Sequence, residues 1–278
     1  MTVLLSLLTA VIFGTGDFFG GLAAKRAKIL QVIAGSHLVG LVGVTIAALA
    51  LAEEFRTDDF LLGAAGGAFG GVGVGLLYRR LAIGPMSVVA PLTALTSVAV
   101  PTVWGAFTGD ELGVLAWAGV AFAVLAIVMV SSSSDGSHAA ISPQVIVESL
   151  LAGIGFGGFF IFLDATDSVA APWPVVGARL LTASFLLVFM VGTRRQLLPR
   201  ADGALVLIAV TGLLDTASNV VFLYATNRGV LTLVAVLSSL YPVATVVLAR
   251  LILDEKMTRI QLAGFVAAML GTVFIAAA

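Results

Sequence analysis

The chain has 278 residues, of which 60% are hydrophobic and only 10% charged, with mean hydropathy +1.15. A soluble domain carries about 25% charged residues, so this chain cannot coat a globular surface, and it is far too apolar for disorder. A net charge of −1 gives no pull towards nucleic acid, and 0 cysteines with 2 histidines exclude disulfides, thiolate zinc sites, cysteine nucleophiles and a histidine metal cage.

A bilayer-crossing helix needs about 20 apolar residues. Charges, prolines and polar clusters divide the chain into ten apolar runs: 2–24, 30–52, 59–82, 85–108, 112–131, 144–166, 172–192, 202–226, 229–252 and 257–277. They are far longer than the roughly 10-residue strands of a membrane barrel. The predicted fold class is therefore all-α integral membrane, with ten transmembrane helices. An even number puts both termini on one side. The first run has no basic stretch ahead of it and contains Asp17, unlike a cleavable signal peptide. The longest polar gap, SSSSDGSHAAIS at 131–142, reads as a flexible linker. The organisation is thus five spans in 1–131, a linker at 132–143 and five spans in 144–278.

In chain order, span 1 holds Asp17 at depth, and span 2 holds His37. Ionisable residues inside a bilayer face protein or water rather than lipid. Asp17 is either a site for a substrate amine or proton, or a structural hydrogen-bond acceptor near Gly14 and Gly16. His37 is either a group that titrates near neutrality or a neutral core imidazole. Span 3 carries Gly63, Gly67, Gly71 and Gly75, with a second ridge at Gly66 and Gly70. Such small-residue faces let helices approach closely, either as static packing or as a sliding surface; Gly153 and Gly157 repeat the pattern in span 6. Tyr78 ends span 3, where an interfacial aromatic belt is the default reading. Span 4 contains Pro91 and Pro101, and span 9 contains Pro242. Proline removes a donor and kinks a helix, so these three positions are candidate hinges or fixed bends. Thr93, Thr96 and Ser97 of span 4, and Ser238 and Ser239 of span 9, could bond substrate or their own backbone. Arg179 occupies the place in span 7 that His37 occupies in span 2. It could clamp a carboxylate, although an arginine near a helix start more often snorkels to the interface. Asp215 and Asn219 share a face of span 8 and form the stronger cavity candidate. The candidate substrate-binding residues are therefore Asp17, His37, Tyr78, Thr93, Ser97, Asp215, Asn219 and Ser239, with Pro91, Pro101 and Pro242 as hinges and no metal or cofactor. The acidic residues at span ends, Asp110, Glu111, Asp164, Asp167, Asp254 and Glu255, carry no transport role; Asp254 and Glu255 precede span 10 as favourable N-terminal charges.

The chain repeats itself. Gly84 and Gly229 stand 145 apart, as do Ser87 and Thr232, Leu95 and Leu240, and Gly119 and Gly264; Tyr78 and Tyr224 are 146 apart, and Glu111 and Glu255 are 144 apart. Phe13-Gly14 matches Phe156-Gly157 at a slightly smaller shift. Five spans per repeat is odd, so the second half enters the membrane from the opposite face. Two five-helix inverted repeats, with a site near the midplane between them, are an architecture of secondary transporters.

The stretch YATNRGVLTLVAVLSSLYPVATVVLARLILDEK (224–256), with Gln261 and Gly264, resembles the EamA-type drug/metabolite transporters. So does the weaker copy LYRRLAIGPMSVVAPLTAL with the later GDE and Gly119, although Ser97 stands where the second half has Pro242 and the nearest proline is Pro101. The resemblance implies a ten-helix bacterial inner-membrane exporter working by alternating access. Helices 1–4 and 6–9 would surround the cavity, and helices 5 and 10 would lie outside in a monomer or weak homodimer. It names no substrate. The sparse polar groups at depth suit amino acids, hydrophobic, aromatic or otherwise neutral, or alternatively lipophilic drugs. Without HExxH, cysteine or a usable histidine pair, a membrane-embedded hydrolase is the weaker reading, and without filter loops or charge rings so is a channel. No phosphate loop is present, which leaves proton coupling or facilitated diffusion.

Lys25, Arg26, Lys28, Arg79, Arg80, Arg194, Arg195, Arg200, Lys256 and Arg259 fall on odd-numbered connections, with Arg250 nearby, against Arg56 and Arg228 on even ones. The positive-inside rule then predicts cytoplasmic odd connections and extracytoplasmic termini.

Overall fold

The computed structural model describes residues 1–108, 113–131, 142–226, 234 and 237–277, and of residues 130, 131, 223, 224 and 226 the backbone alone. Asp110, Glu111, Arg228, Gly229, Thr232, His138 with nearly all of the expected linker, and the Tyr224 side chain lie outside the described residues. Each apolar run forms a helix: α1 (Thr2–Arg26), α2 (Ile29–Leu51), α3 (Thr57–Ile83), α4 (Met86–Thr108), α5 (Val114–Ser131), α6 (Pro143–Asp164), α7 (Trp173–Gly192), α8 (Ala204–Thr226), α9 (Tyr241–Ile252) and α10 (Arg259–Ala276), with one 3₁₀ turn at Ser168–Ala170. No strand occurs among the described residues. Eight of these helices are long and apolar enough to cross a bilayer; Val114–Met129 and Tyr241–Ile252 are apolar but shorter.

Local chemistry sets the ends. Ser142 accepts a hydrogen bond from the Gln144 N–H, with Pro143 opening α6. Thr258 and Gln261 form a capping box at α10. Pro91 and Pro101 lie inside a continuous α4. Pro242 stands instead in the first turn of α9, just after a turn at Ser239–Leu240. A missing N–H is harmless there, because first-turn donors have no intrahelical acceptor.

The odd-numbered connections gather at one end. Arg80 Nε at the end of α3 donates to Glu148 Oε2 near the start of α6 at 2.7 Å. Glu255, between α9 and α10, accepts from the Met86 N–H at 3.1 Å and the Ser87 N–H at 3.0 Å at the start of α4. Gln31, in the first turn of α2, donates to the carbonyls of Gln196 and Leu198, each at 2.9 Å. Connections α2–α3 and α6–α7 meet at the opposite end, where Arg56 pairs with Asp167 at 2.8 Å and the Asp167 N–H donates to Asp59 at 3.2 Å. Thus α1 runs towards the basic end and α6 starts from it, so the two repeats are inverted.

Packing follows the same symmetry, each helix of the first half exchanging with the one five places later. α1 lies on α8 as α6 lies on α3; α3 lies on α7 as α8 lies on α2; α6 lies on α4 as α1 lies on α9; and α2–α7, α4–α9 and α5–α10 pair with their own equivalents. The correspondence extends to single residues. Where α7 meets α3, Thr182 of α7 donates to the Gly67 carbonyl at 3.0 Å; where α2 meets α8 a bond of the opposite sense takes its place, from Thr216 of α8 to the Gly40 carbonyl at 3.2 Å. A β-carbon on Gly14 would stand 2.0 Å from the Tyr241 carbonyl, and one on Gly157 would stand 3.2 Å from the Ser97 carbonyl. In these contacts Ser97 is the counterpart of Tyr241, one residue earlier than the sequence pairing with Pro242.

Outside, Leu49 (73% exposed), Val188 (73%) and Leu251 (76%) belong to a broad apolar surface. Water would not tolerate so large a patch on a monomer; lipid requires it.

Candidate functional site

Three helices meet around one guanidinium. Arg179 of α7 faces His37 of α2, with Nη1 2.7 Å from His37 Nε2, and its other terminal nitrogen is paired with Asp215 Oδ2 of α8. An arginine can only donate, so His37 Nε2 accepts and the ring proton sits on Nδ1. Nδ1 is buried and has no partner among the described residues. His37 and Arg179 occupy equivalent places in the repeats, and α2 and α7 pack on each other across the pseudo-two-fold axis. The pair therefore marks the axis itself.

Asp17 of α1 stands within electrostatic range of Asp215, Tyr78 and Tyr241. Its neighbourhood is made by small residues. Gly16 lets α1 approach the α8 backbone at Leu214 and Asp215. Gly20 makes room for Tyr78, since a β-carbon there would stand 2.4 Å from the phenol ring. Tyr78 is buried rather than placed in an interfacial belt. Asp17 forms no hydrogen bond or ion pair with any described residue, whereas Asp215 is neutralised by Arg179.

The charge lies on one side of the axis. The counterpart of Asp17 is Phe160, at the Phe13–Phe156 shift, and the counterpart of Asp215 is Gly70, at the Gly67–Gly212 shift. Around those counterparts the ring centroids of Phe69 and Phe162 stand 5.5 Å apart, and those of Phe159 and Phe160 stand 5.9 Å apart. A symmetric backbone thus carries a polar lobe and an aromatic lobe.

The other expected residues lie elsewhere. Asn219 donates to the Asp215 carbonyl on its own helix at 2.7 Å. Thr93 donates to the Ser149 carbonyl of α6 at 3.1 Å, and Ser97 to the Ala94 carbonyl at 2.8 Å. Ser97 also neighbours the Tyr241 hydroxyl. Ser239 sits in the turn before α9. Arg179, read from sequence as a clamp or a snorkelling residue, is the centre of the cluster. The signal that could have placed it was its equivalence to His37: in an inverted repeat, helices that cross the axis bring equivalent positions together. No group of three or more histidine or acidic side chains arranged for a metal occurs among the described residues.

An apolar body helical throughout its described elements, two inverted five-helix halves and partly buried charged groups between them define a polytopic membrane protein of the inverted-repeat type. The sequence matches the EamA-like transporter family twice, over residues 1–132 and 145–277, and the chain belongs to that family of small-molecule membrane transporters. A solved crystal structure shares the fold at TM-score 0.66 with 13% sequence identity, covering 98% of this chain and 95% of its own. No curated protein matches the sequence significantly.

Proposed function

We propose that this transporter exports neutral amino acids, hydrophobic or aromatic ones foremost, across the plasma membrane by alternating access. The observation that carries the reading is Asp17, an acidic side chain without a partner among the described residues, near the Asp215 that with His37 orients Arg179. An unpaired carboxylate at this depth costs about 3 kcal/mol on insertion scales, so it takes a proton or a cation. An amino acid offers that cation as its ammonium group. Its carboxylate suits the Arg179 fork and the His37 Nδ1–H, and its apolar side chain suits the aromatic lobe. Exchange of a proton for substrate at Asp17 would couple export to the proton gradient. The basic end would face the cytoplasm and both termini the opposite side. The peripheral pair α5–α10 leaves the protein a monomer or weak homodimer.

A second reading, export of lipophilic cationic drugs, is favoured by the aromatic lobe, and it needs Asp17 but not Arg179. Counterflow in proteoliposomes with labelled phenylalanine, leucine and a lipophilic amine, at two trans pH values, separates the two. Amino-acid export predicts saturable counterflow of phenylalanine, abolished in Asp17→Asn and reduced at least about 100-fold in Arg179→Gln. If only the amine exchanges, and Arg179→Gln leaves its exchange intact, the amino-acid reading fails.

A further inference from the structure

We propose that the basic end carries a binding site for the phosphate headgroup of an anionic phospholipid, built between the α1–α2 and α7–α8 connections. A crevice of about 240 Å³ lies there, bordered by Lys28 and Arg195 and floored by Leu30 and Met190. Its walls are fixed. Gln31, 4% exposed, bonds the carbonyls of Gln196 and Leu198 and so fastens the α7–α8 connection to the start of α2. Arg194 adopts φ 51°, which turns the chain sharply after α7, and the Arg195 guanidinium lies 5.4 Å from the centroid of the Phe189 ring.

The charge here is uncompensated. Lys25, Arg26, Lys28, Arg194, Arg195 and Arg200 share these two connections with a single acid, Asp202. The ion pairs among the described residues all use Arg56, Arg79, Arg80 or Arg179, and none uses these six. The neighbouring face of α7 is apolar and open, with Phe185 66% and Val188 73% exposed. A cationic crevice joined to an apolar helix face matches a phosphate joined to acyl chains.

The pseudo-two-fold axis supplies an internal control. It maps α1–α2 onto α6–α7 and α7–α8 onto α2–α3. A crevice between those connections at the other end, about 740 Å³, is bordered by Glu54, Asp58, Asp59 and Asp167 with Arg56. The fold places a crevice at both ends; the sequence makes one basic and the other acidic. Backbone symmetry therefore accounts for the two crevices, and the sequence sets their charge, the basic one lying at the end that the positive-inside bias predicts to be cytoplasmic, where anionic headgroups are found.

The test uses the purified full chain in a neutral detergent. Thermal unfolding and native mass spectrometry would be recorded with phosphatidylglycerol, phosphatidylcholine or soluble glycerol 3-phosphate. Phosphatidylglycerol is expected to raise the unfolding midpoint by several degrees and to remain bound in the gas phase, and the other two to do neither. In Lys28→Ala/Arg195→Ala, phosphatidylglycerol affinity should fall about thirtyfold, equivalent to about 2 kcal/mol. Both side chains are exposed, so the lipid-free midpoint should fall only slightly, through loss of the Arg195–Phe189 contact. Glu54→Gln/Asp58→Asn, at the acidic crevice, should keep full lipid affinity. Equal stabilisation by phosphatidylcholine, undiminished phosphatidylglycerol affinity in the basic-crevice variant, or an equal effect of glycerol 3-phosphate would each overturn the lipid site. None of these outcomes depends on which substrate is carried.

Discussion

A guanidinium in a membrane protein is tolerable only when its charge is met. Asp215 meets the charge of Arg179, and Asp215 and His37 take two of its five N–H donors, which leaves donors for a substrate carboxylate. Removing one partner of such a pair leaves the other charge stranded, which costs about 3–5 kcal/mol, whereas removing both costs much less. Asp215→Asn is therefore expected to lower the unfolding midpoint sharply. Arg179→Gln/Asp215→Asn should recover much of that loss, with a coupling of about 1–3 kcal/mol in a double-mutant cycle of denaturant unfolding. Additive single effects would mean that the pair is not formed. The sequence marked Asp17, His37 and Asp215 as expensive at depth, and in this it anticipated most of the cluster. It could not assign partners, because those contacts join residues 142 and 36 apart and depend on which helices adjoin. The interfacial reading of Tyr78 departs from the structure for a related reason, while its place among the candidate binding residues is untouched. Its place near a helix end suggests an interface, but Gly20 on another helix creates the space that buries it.

Helix α3 shows how small residues serve two neighbours at once. Gly63, Gly67 and Gly71 meet Pro174, Ala178 and Thr182 of α7, while Gly66, Gly70 and Gly73 meet Phe162, Phe159 and Phe156 of α6. Both contacts cross between the repeats, so these ridges hold the halves together as well as packing a helix. The sequence showed that the glycines form two ridges but not which helices they meet. Helix lengths were legible because the apolar runs are bounded by charge and proline; the start of α9 was not, because Pro242 reads as a mid-helix kink until the preceding turn is seen. Position within the ridge sets the outcome of substitution. A β-carbon on Gly67 would lie 2.6 Å from the Ala178 Cα, a backbone atom that cannot move alone, whereas one on Gly75 would lie 3.3 Å from the mobile Cδ1 of Ile33. Gly67→Ala should destabilise by about 1–3 kcal/mol through overpacking. Gly75→Ala should be neutral or slightly stabilising, since alanine favours the helix. Thermal unfolding of the two variants side by side tests this, and equal losses would contradict the packing.

At the scale of the whole molecule, the two ends differ in closure. Near the basic end Phe18, Leu81, Met86 and Val89 are fully buried in one continuous cluster contributed by both halves. Along α4 burial is nearly continuous from Met86 to Ser97, and no residue from Val98 onward is buried. Glu255 holds the first turn of α4 against the second half through two backbone N–H groups and the Ser87 hydroxyl. Charge-assisted bonds of this kind contribute about 1.5–3 kcal/mol each, and a shift of about 2 kcal/mol changes a two-state population about thirtyfold. If the protein alternates, opening the basic end must release this contact. A chain with 0 cysteines makes the test direct, because an introduced thiol is unique. Val89→Cys should resist a membrane-impermeant maleimide applied from the basic side at rest, and label at least about tenfold faster during substrate exchange. Asp58→Cys, exposed at the opposite end, should label from that side without substrate. Adding Glu255→Ala to Val89→Cys should speed labelling in the absence of substrate, while Glu255→Gln, which keeps an accepting oxygen, should have the smaller effect. Val89→Cys labelling that ignores both substrate and Glu255 would mean that the basic end does not open by releasing α4.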